Sequence, residues 1–247
     1  MHGVIAGRDP SLRVIDVTHG IRPQNVLSGA YALADAVAAF PAGTIFVGVV
    51  DPGVGTSRRA VAAEIGDWRF VGPDNGLLTL LLQRYPLGLT VELTNDTFHR
   101  LPRSTTFHGR DIFAPVAAAW ATTSPITDFG PIITDPLIRL ECAIPTREQN
   151  GPQILVRGTV LDADHFGNLR TNIRKDDLMV PEVPASAIVA LEGDIVGSIS
   201  TCYSDAADGS VLALFGSNDR LEIAVSNGSA ATRFPRARAV VVTFTTA

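Results

Sequence analysis

Apolar and polar positions follow two different rhythms along the chain. In the first half, short apolar runs of strand type alternate with alanine-rich windows whose apolar residues recur at helical spacing. Residues 12–17, 43–50 and 89–93 read as strands; residues 26–40, 76–85 and a segment from near His108 through Trp120 read as helices. Strands taking turns with helices predict an α/β domain with a mostly parallel sheet covered on both faces. After a Pro-rich crossing at residues 131–152 the rhythm changes. Residues 154–161, 187–191, 211–215, 221–225 and 239–245 are short β-type runs split by Gly, Asn, Asp and Ser. They predict an all-β, barrel-like C-terminal domain. The expected domains are residues 1–145 and 152–247.

Composition narrows the functional classes. With 46% hydrophobic and 18% charged residues over 247 positions, the chain has enough apolar mass to bury a core. A net charge of -5 and a pI near 5.5 leave no basic face to neutralise phosphates, so no nucleic-acid partner is expected. Cys142 and Cys202 lack the spacing of a metal site. Residues 26–50 carry one charge, Asp35, but the interruption at Pro41-Ala42-Gly43 makes them a buried helix and strand rather than a membrane span. The N-terminus shows no long apolar run behind a basic start. A cytoplasmic protein without a membrane partner is the expectation.

Three stretches carry candidate chemistry. Val50-Asp51-Pro52-Gly53-Val54-Gly55-Thr56-Ser57-Arg58-Arg59 follows a predicted buried strand, where α/β sheets bind ligands and where glycines let backbone approach a small molecule. The same residues suit a plain strand-to-strand turn with Asp51 capping amides. Arg58 stands where a dinucleotide fingerprint needs its third glycine, and no Lys-Ser/Thr pair completes a P-loop. The second stretch, Thr105-Thr106-Phe107-His108-Gly109-Arg110-Asp111, puts His108 and Asp111 about one helical turn apart, as a catalytic imidazole, a metal pair or a simple capped helix start. The third, Asp164-His165-Phe166-Gly167-Asn168-Leu169-Arg170-Thr171-Asn172, pairs an aromatic with an amide, which suits stacking on adenine and bonding its edge, or a hairpin with Phe166 in the core. His19 and His99 read as structural, and Gly72-Pro73-Asp74-Asn75-Gly76 as a turn before a ligand loop.

Taken in order, Val50-Asp51-Pro52-Gly53-Val54-Gly55-Thr56, Gly72-Pro73-Asp74-Asn75-Gly76-Leu77-Leu78, Thr106-Phe107-His108-Gly109-Arg110-Asp111 and Phe166-Gly167-Asn168 resemble the S-adenosylmethionine (SAM) hydroxide adenosyltransferases, hydrolytic relatives of the SAM-dependent fluorinase and chlorinase. The resemblance extends to Leu221-Glu222-Ile223-Ala224-Val225. It implies hydrolysis of SAM to adenosine and L-methionine, SAM being substrate, with no cofactor and no metal. It also implies a homotrimer with active sites between neighbouring subunits. By position, Asp51, Arg58 and His108 match the family's water-handling set. Phe107, Gly109, Asp164, Phe166, Asn168 and Ser217 match its substrate-binding positions. The fluorinase carries Tyr in place of this Asp and Ser in place of Gly109, so Asp51 with His108 favours water over halide.

The residue types suit that reaction. C5′ of a sulfonium is already electrophilic and its leaving group departs as a neutral thioether, so the enzyme must supply chiefly a positioned, activated oxygen. On this reading Asp51 accepts a hydrogen bond from the attacking water, Arg58 keeps Asp51 charged and in place, and His108 takes up the proton. The family's first strand, with a Thr-Asp-Phe/Tyr-Gly motif, has no counterpart after Met1, which leads to the expectation of an in-frame upstream strand. The rival readings are a chlorinase-like halide adenosyltransferase, a non-catalytic SAM- or adenosine-binding trimer, and a metal-dependent hydrolase built on Asp51, His108 and Asp111.

Overall fold

The computed structural model describes residues 1–245. The chain divides into two compact units, Met1–Glu141 and Cys142–Ala247. In the first, helices α1 (His2–Arg8) and α2 (Val26–Ala36) precede strands β1 (Ile45–Val47), β2 (Ala60–Ile65), β3 (Trp68–Pro73) and β4 (Leu87–Glu92). A π-helical turn at Gly109–Phe113 then leads into α3 (Ala114–Thr122). The N-terminus of α2 is fixed by Asn25, whose side chain accepts from the Ser28 amide.

The four strands lie in the order β1-β3-β2-β4. Only β1 and β3 are parallel; β2 is antiparallel to both β3 and β4. The expected mostly parallel sheet is therefore corrected to a mixed, mostly antiparallel one. The cause is local: a two-residue turn at Gly66-Asp67, with Gly66 at φ 53, folds β3 straight back on β2. Alanine-rich Ala60–Ile65 has weak strand propensity on its own and acquires its form from the neighbours on either side.

Two further expectations fail nearby. Residues 12–17 form no ladder among the described residues and leave Val14, Ile15 and Val17 exposed, because β propensity becomes a strand only beside a partner backbone. Residues 76–85 make successive turns, such as Leu82 N–H to Leu78 C=O and Tyr85 N–H to Leu81 C=O, rather than a continuous helix. The core on one face joins Ala60, Ala62, Val71 and Val91 to Phe113, Val116, Trp120 and Phe129. Ile5 of α1 packs on Ala114 and Ala118 of α3. Among the described residues, no helix is long and apolar enough to cross a membrane.

The second unit contains β5 (Thr146–Asn150), β6 (Gln153–Ala163), β7 (Leu169–Arg174), β8 (Ile188–Leu191), β9 (Asp194–Ser200), β10 (Val211–Phe215), β11 (Arg220–Val225), the short helix α4 (Ala230–Arg233) and β12 (Ala239–Thr245). The order β12-β8-β9-β10-β11-β7-β6, closed by the β12–β6 pairing, is a seven-stranded barrel with β5 appended to β6. Closure leaves few backbone edges to cover. Its core follows the period of two, with Ile154 and Val156, Leu221 and Ile223, and Val240, Val242 and Phe244 all buried. The expected runs appear as β6, β8, β10, β11 and β12, while β5, β7 and β9 add strands the pattern did not predict.

Candidate active site

In the first unit, Asp51, Arg58 and His108 converge. The loop from β1 to β2 turns on itself through Val54 N–H to Asp51 C=O and Thr56 N–H to Gly53 C=O. Gly55 sits at φ 78, and a β-carbon there would lie 2.4 Å from the Thr105 carbonyl oxygen, so no other residue fits. This brings Arg58 back onto Asp51: Nε donates to Oδ1 at 2.9 Å and Nη2 to Oδ2. The two side chains are only 8% and 5% exposed, so the pair is held away from water. Arg58 also lies over the Phe113 ring, its guanidinium carbon 5.4 Å from the centroid.

His108 comes from the other side, at the mouth of the π-helical turn. Its Nδ1 is 2.9 Å from Arg58 Nη2. Pro115 explains the local irregularity: it has no N–H for the Asp111 carbonyl, which accepts from the Arg100 amide instead. The Asp111 side chain is fully buried and fully used, by Arg110 Nε at 2.7 Å, Arg110 Nη2 at 2.8 Å and the Ser104 amide at 2.8 Å. The Arg110 bonds hold its pKa well below the usual carboxylate range. The metal reading on Asp51, His108 and Asp111 thereby loses its third ligand: Asp111 serves to tie residues 100–104 to the helix start. Among the described residues, no group of three or more His, Cys, Asp or Glu side chains is arranged to hold a metal ion.

Burial, and next the Arg58 charge, lower the pKa of His108; Arg103 pushes the same way, while Asp51 and Asp111 oppose it. Phe107, half exposed, carries the Arg110 guanidinium over its ring at 4.8 Å. A β-carbon on Gly109 would lie 3.1 Å from Val49 Cγ1, so this glycine lets the His108 turn pack closely on the segment leading to Asp51. A cleft of about 1040 Å³ reaches Asp51, Pro52 and Val54 between β1 and residues 12–18.

In the barrel unit, Asp164, Phe166 and Asn168 form one loop. Asp164 Oδ1 accepts from the Phe166 and Asn168 amides, both at 2.9 Å, and Oδ2 accepts from Asn168 Nδ2 at 3.0 Å. Gly167, at φ 86, packs where a β-carbon would meet Ser229 Oγ at 2.2 Å. Phe166 is 78% exposed, which removes the reading of it as a core residue of a hairpin. Ser217 is exposed in the β10–β11 turn, next to Gly216, which abuts the Glu222 carboxyl group.

Tyr203 and Glu222 were not foreseen. The Tyr203 hydroxyl donates to Glu222 at 3.0 Å and accepts from Asn168 Nδ2 at 3.5 Å. Burial and Glu222 push Tyr203 up to about 12, and burial raises Glu222. The signal available was a lone Glu on the face opposite Leu221 and Ile223, in register with Arg170.

An α/β unit holding a part-buried Asp–Arg–His cluster, joined in sequence to a closed β-barrel displaying an aromatic–amide loop, defines the class. Residues 1–130 match the SAM hydroxide adenosyltransferase N-terminal domain and residues 158–239 the C-terminal domain of the same family. The chain belongs to this family. It is 42% identical over 234 residues to the (R)-S-adenosyl-L-methionine hydrolase of Salinispora tropica, covering 93% of this chain and 85% of that one. Identity to the hydrolase of Thermus thermophilus is 38% over 235 residues, 92% of this chain and 86% of that one. A fluorinase from an Actinoplanes species is 28% identical over 201 residues, 71% of this chain and 66% of its own. A crystal structure of an uncharacterized conserved protein from Thermotoga maritima superposes with a TM-score of 0.85 at 32% identity, covering 98% and 92% of the two chains.

Proposed function

We propose that the protein hydrolyses SAM to adenosine and L-methionine. The observation that carries this is 42% identity, over 93% of the chain, to a SAM hydrolase. The Asp51–Arg58–His108 cluster supports it chemically. Water attacks C5′, the C5′–S bond breaks with its electron pair going to sulfur, and a neutral thioether leaves. One proton from the water must be accepted. A charge-neutralising attack of this kind is favoured in a site shielded from bulk water.

The cluster geometry supports a division of roles that differs from the one expected from residue types. A guanidinium only donates, so the His108 nitrogen facing Arg58 is an acceptor, and the neutral ring carries its hydrogen on Nε2. Protonating the ring would break the bond to Arg58. His108 therefore acts as a neutral donor to the attacking oxygen, and Asp51 takes the water's proton and releases it through the cleft that reaches it. Phe166 and Asn168 supply adenine recognition, with Asp164 shaping their loop. The working assembly is a homotrimer, and neither metal nor cofactor takes part.

The test is chromatographic assay of adenosine from SAM, with EDTA and with chloride. Adenosine release that survives EDTA supports the proposal. Loss in EDTA restored by zinc, or 5′-chloro-5′-deoxyadenosine as the main product in chloride, overturns it. His108→Gln, whose amide N–H can replace the ring Nε2–H, should keep turnover within about 10-fold, while His108→Ala loses about 100-fold. Equal losses would return His108 to the role of base.

A further inference from the structure

We propose that two successive residues of one turn, Asp74 and Asn75, are positioning residues that clamp the two ends of the loop carrying Asp51 and Arg58. This rests on the catalytic reading of those two residues given above.

Sheet order puts the turn where it can do this. β3 lies between β1 and β2, parallel to the first and antiparallel to the second. The chain leaves β1 and enters β2 at the same end of the sheet, the end where β3 stops; Ala60 is in register with Pro73. The β1–β2 loop must cross the end of β3, and the residues just after β3 lie between its two ends.

Each clamp is built from that turn. At the first end, Asn75 Nδ2 donates to the Val50 carbonyl at 2.8 Å, the carbonyl immediately before Asp51. Its Oδ1 accepts from the Leu77 amide at 3.4 Å, which sets the amide the right way round. At the other end, the residue after Arg58 is held twice. Arg59 Nε and Nη2 donate to Asp74 Oδ2 at 3.0 and 2.7 Å, and the Asp74 amide donates to the Arg59 carbonyl at 2.9 Å. Asp74 is itself pinned, its side chain 2% exposed and its Oδ1 accepting from the Ile138 amide at 2.8 Å. Arg59 Nη1 reaches Asp135 at 2.7 Å. The turn cannot drift: Gly76 sits at φ 97, and a β-carbon there would lie 2.4 Å from Leu140 Cγ.

Between the clamps the loop has only tight turns, yet it must bring two side chains seven residues apart into a two-pronged contact. Fixing both ends leaves Arg58 little choice but to fold onto Asp51 and reach His108. Removing a clamp should blur that geometry without touching substrate, and small misplacements at a reacting centre cost turnover more than binding.

The experiment uses the full chain with Asn75→Ala, alone and combined with Asp51→Asn. Asn75→Ala should lower kcat about 10- to 100-fold with KM within about 3-fold. In the Asp51→Asn background it should cost little more, because its effect runs through Asp51. Arg59→Lys, which keeps the charge but cannot bond Asp74 and Asp135 together, should behave similarly. Losses that multiply in the double variant, or a rise in KM at unchanged kcat, would overturn the clamp. Histidine ¹⁵N NMR gives a readout independent of turnover. Asn75→Ala should shift the His108 Nδ1 resonance that reports the Arg58 contact, and an unshifted resonance overturns the proposal. If the wild type releases no adenosine, the functional reading fails, and the NMR result alone decides the clamp.

Discussion

Asp51 and Asp164 each open a short glycine-containing loop, and each carboxylate has both oxygens occupied, but by different kinds of partner. Asp51 holds a guanidinium that goes on to touch His108. Asp164 bonds the amides and the Asn168 side chain of its own loop. The first arrangement concentrates charge in a site where Arg58 is 8% exposed; the second leaves Phe166 78% exposed. Under the proposed function the first loop does electrostatic work, where buried, preoriented groups act most strongly. The other presents an exposed ring beside an amide, the pair proposed above to recognise a base by stacking and edge contacts. Changes in the first should register in turnover, and changes in the second in binding.

The largest effect tests the first half of that contrast. Asp51→Asn keeps the size but can accept only one of the two Arg58 donors as before, leaving a poorly exposed guanidinium short of its counter-charge. It should lower kcat by about 10²- to 10⁴-fold with a much smaller change in KM, measured by steady-state adenosine release. A kcat loss under 10-fold would mean the cluster is a structural ion pair.

The next effect tests the second half. Phe166→Ala should weaken SAM binding by about 1–3 kcal/mol, if the ring stacks on adenine, with kcat largely kept. Isothermal titration of the Asp51→Asn protein and its Phe166→Ala derivative isolates the binding term. Because Phe166 is exposed, the melting temperature should hardly move. A fall in kcat matching that of Asp51→Asn would erase the distinction between the two loops.

Much of this contrast was legible in the sequence, and the misses have physical causes. Five of the seven barrel strands were legible because burial on one face imposes alternation, as at Leu221 and Ile223, while β7 and β9 were missed. The polar, glycine-containing motifs drew attention to Asp51, Arg58 and His108 but left each open to a plain turn or cap, and only the family resemblance grouped the three. Strand direction was not legible: β2 and β3 are joined by a two-residue turn at Gly66-Asp67, and an alanine-rich strand gives little period-two signal. The role of Asp111 was hidden too, since its partners Arg100 and Ser104 come from an irregular loop whose path follows from a carbonyl that Pro115 leaves free. Tyr203, in a short turn after β9, meets Glu222 of β11, a pairing that local sequence does not reveal.

The smallest effect concerns what holds His108 in place, and it is read from stability rather than rate. Asp111 is buried among Arg110, Arg100 and the Ser104 amide, and its pKa is depressed chiefly by the Arg110 bonds. A carboxyl whose folded pKa lies below its unfolded value of about 3.9 contributes stability above that pH and loses it as the pH falls toward the folded value. Asp111→Asn should therefore melt lower than wild type at pH 7, by an amount corresponding to about 1–3 kcal/mol. The two proteins should then converge between about pH 4 and pH 2, because only the wild type has this charge to lose. Thermal melts across that range decide the matter. Parallel melting curves down to pH 2 would show that the Asp111 charge contributes nothing to the fold, and that the His108 turn is held by packing around Phe113 and Val116 instead.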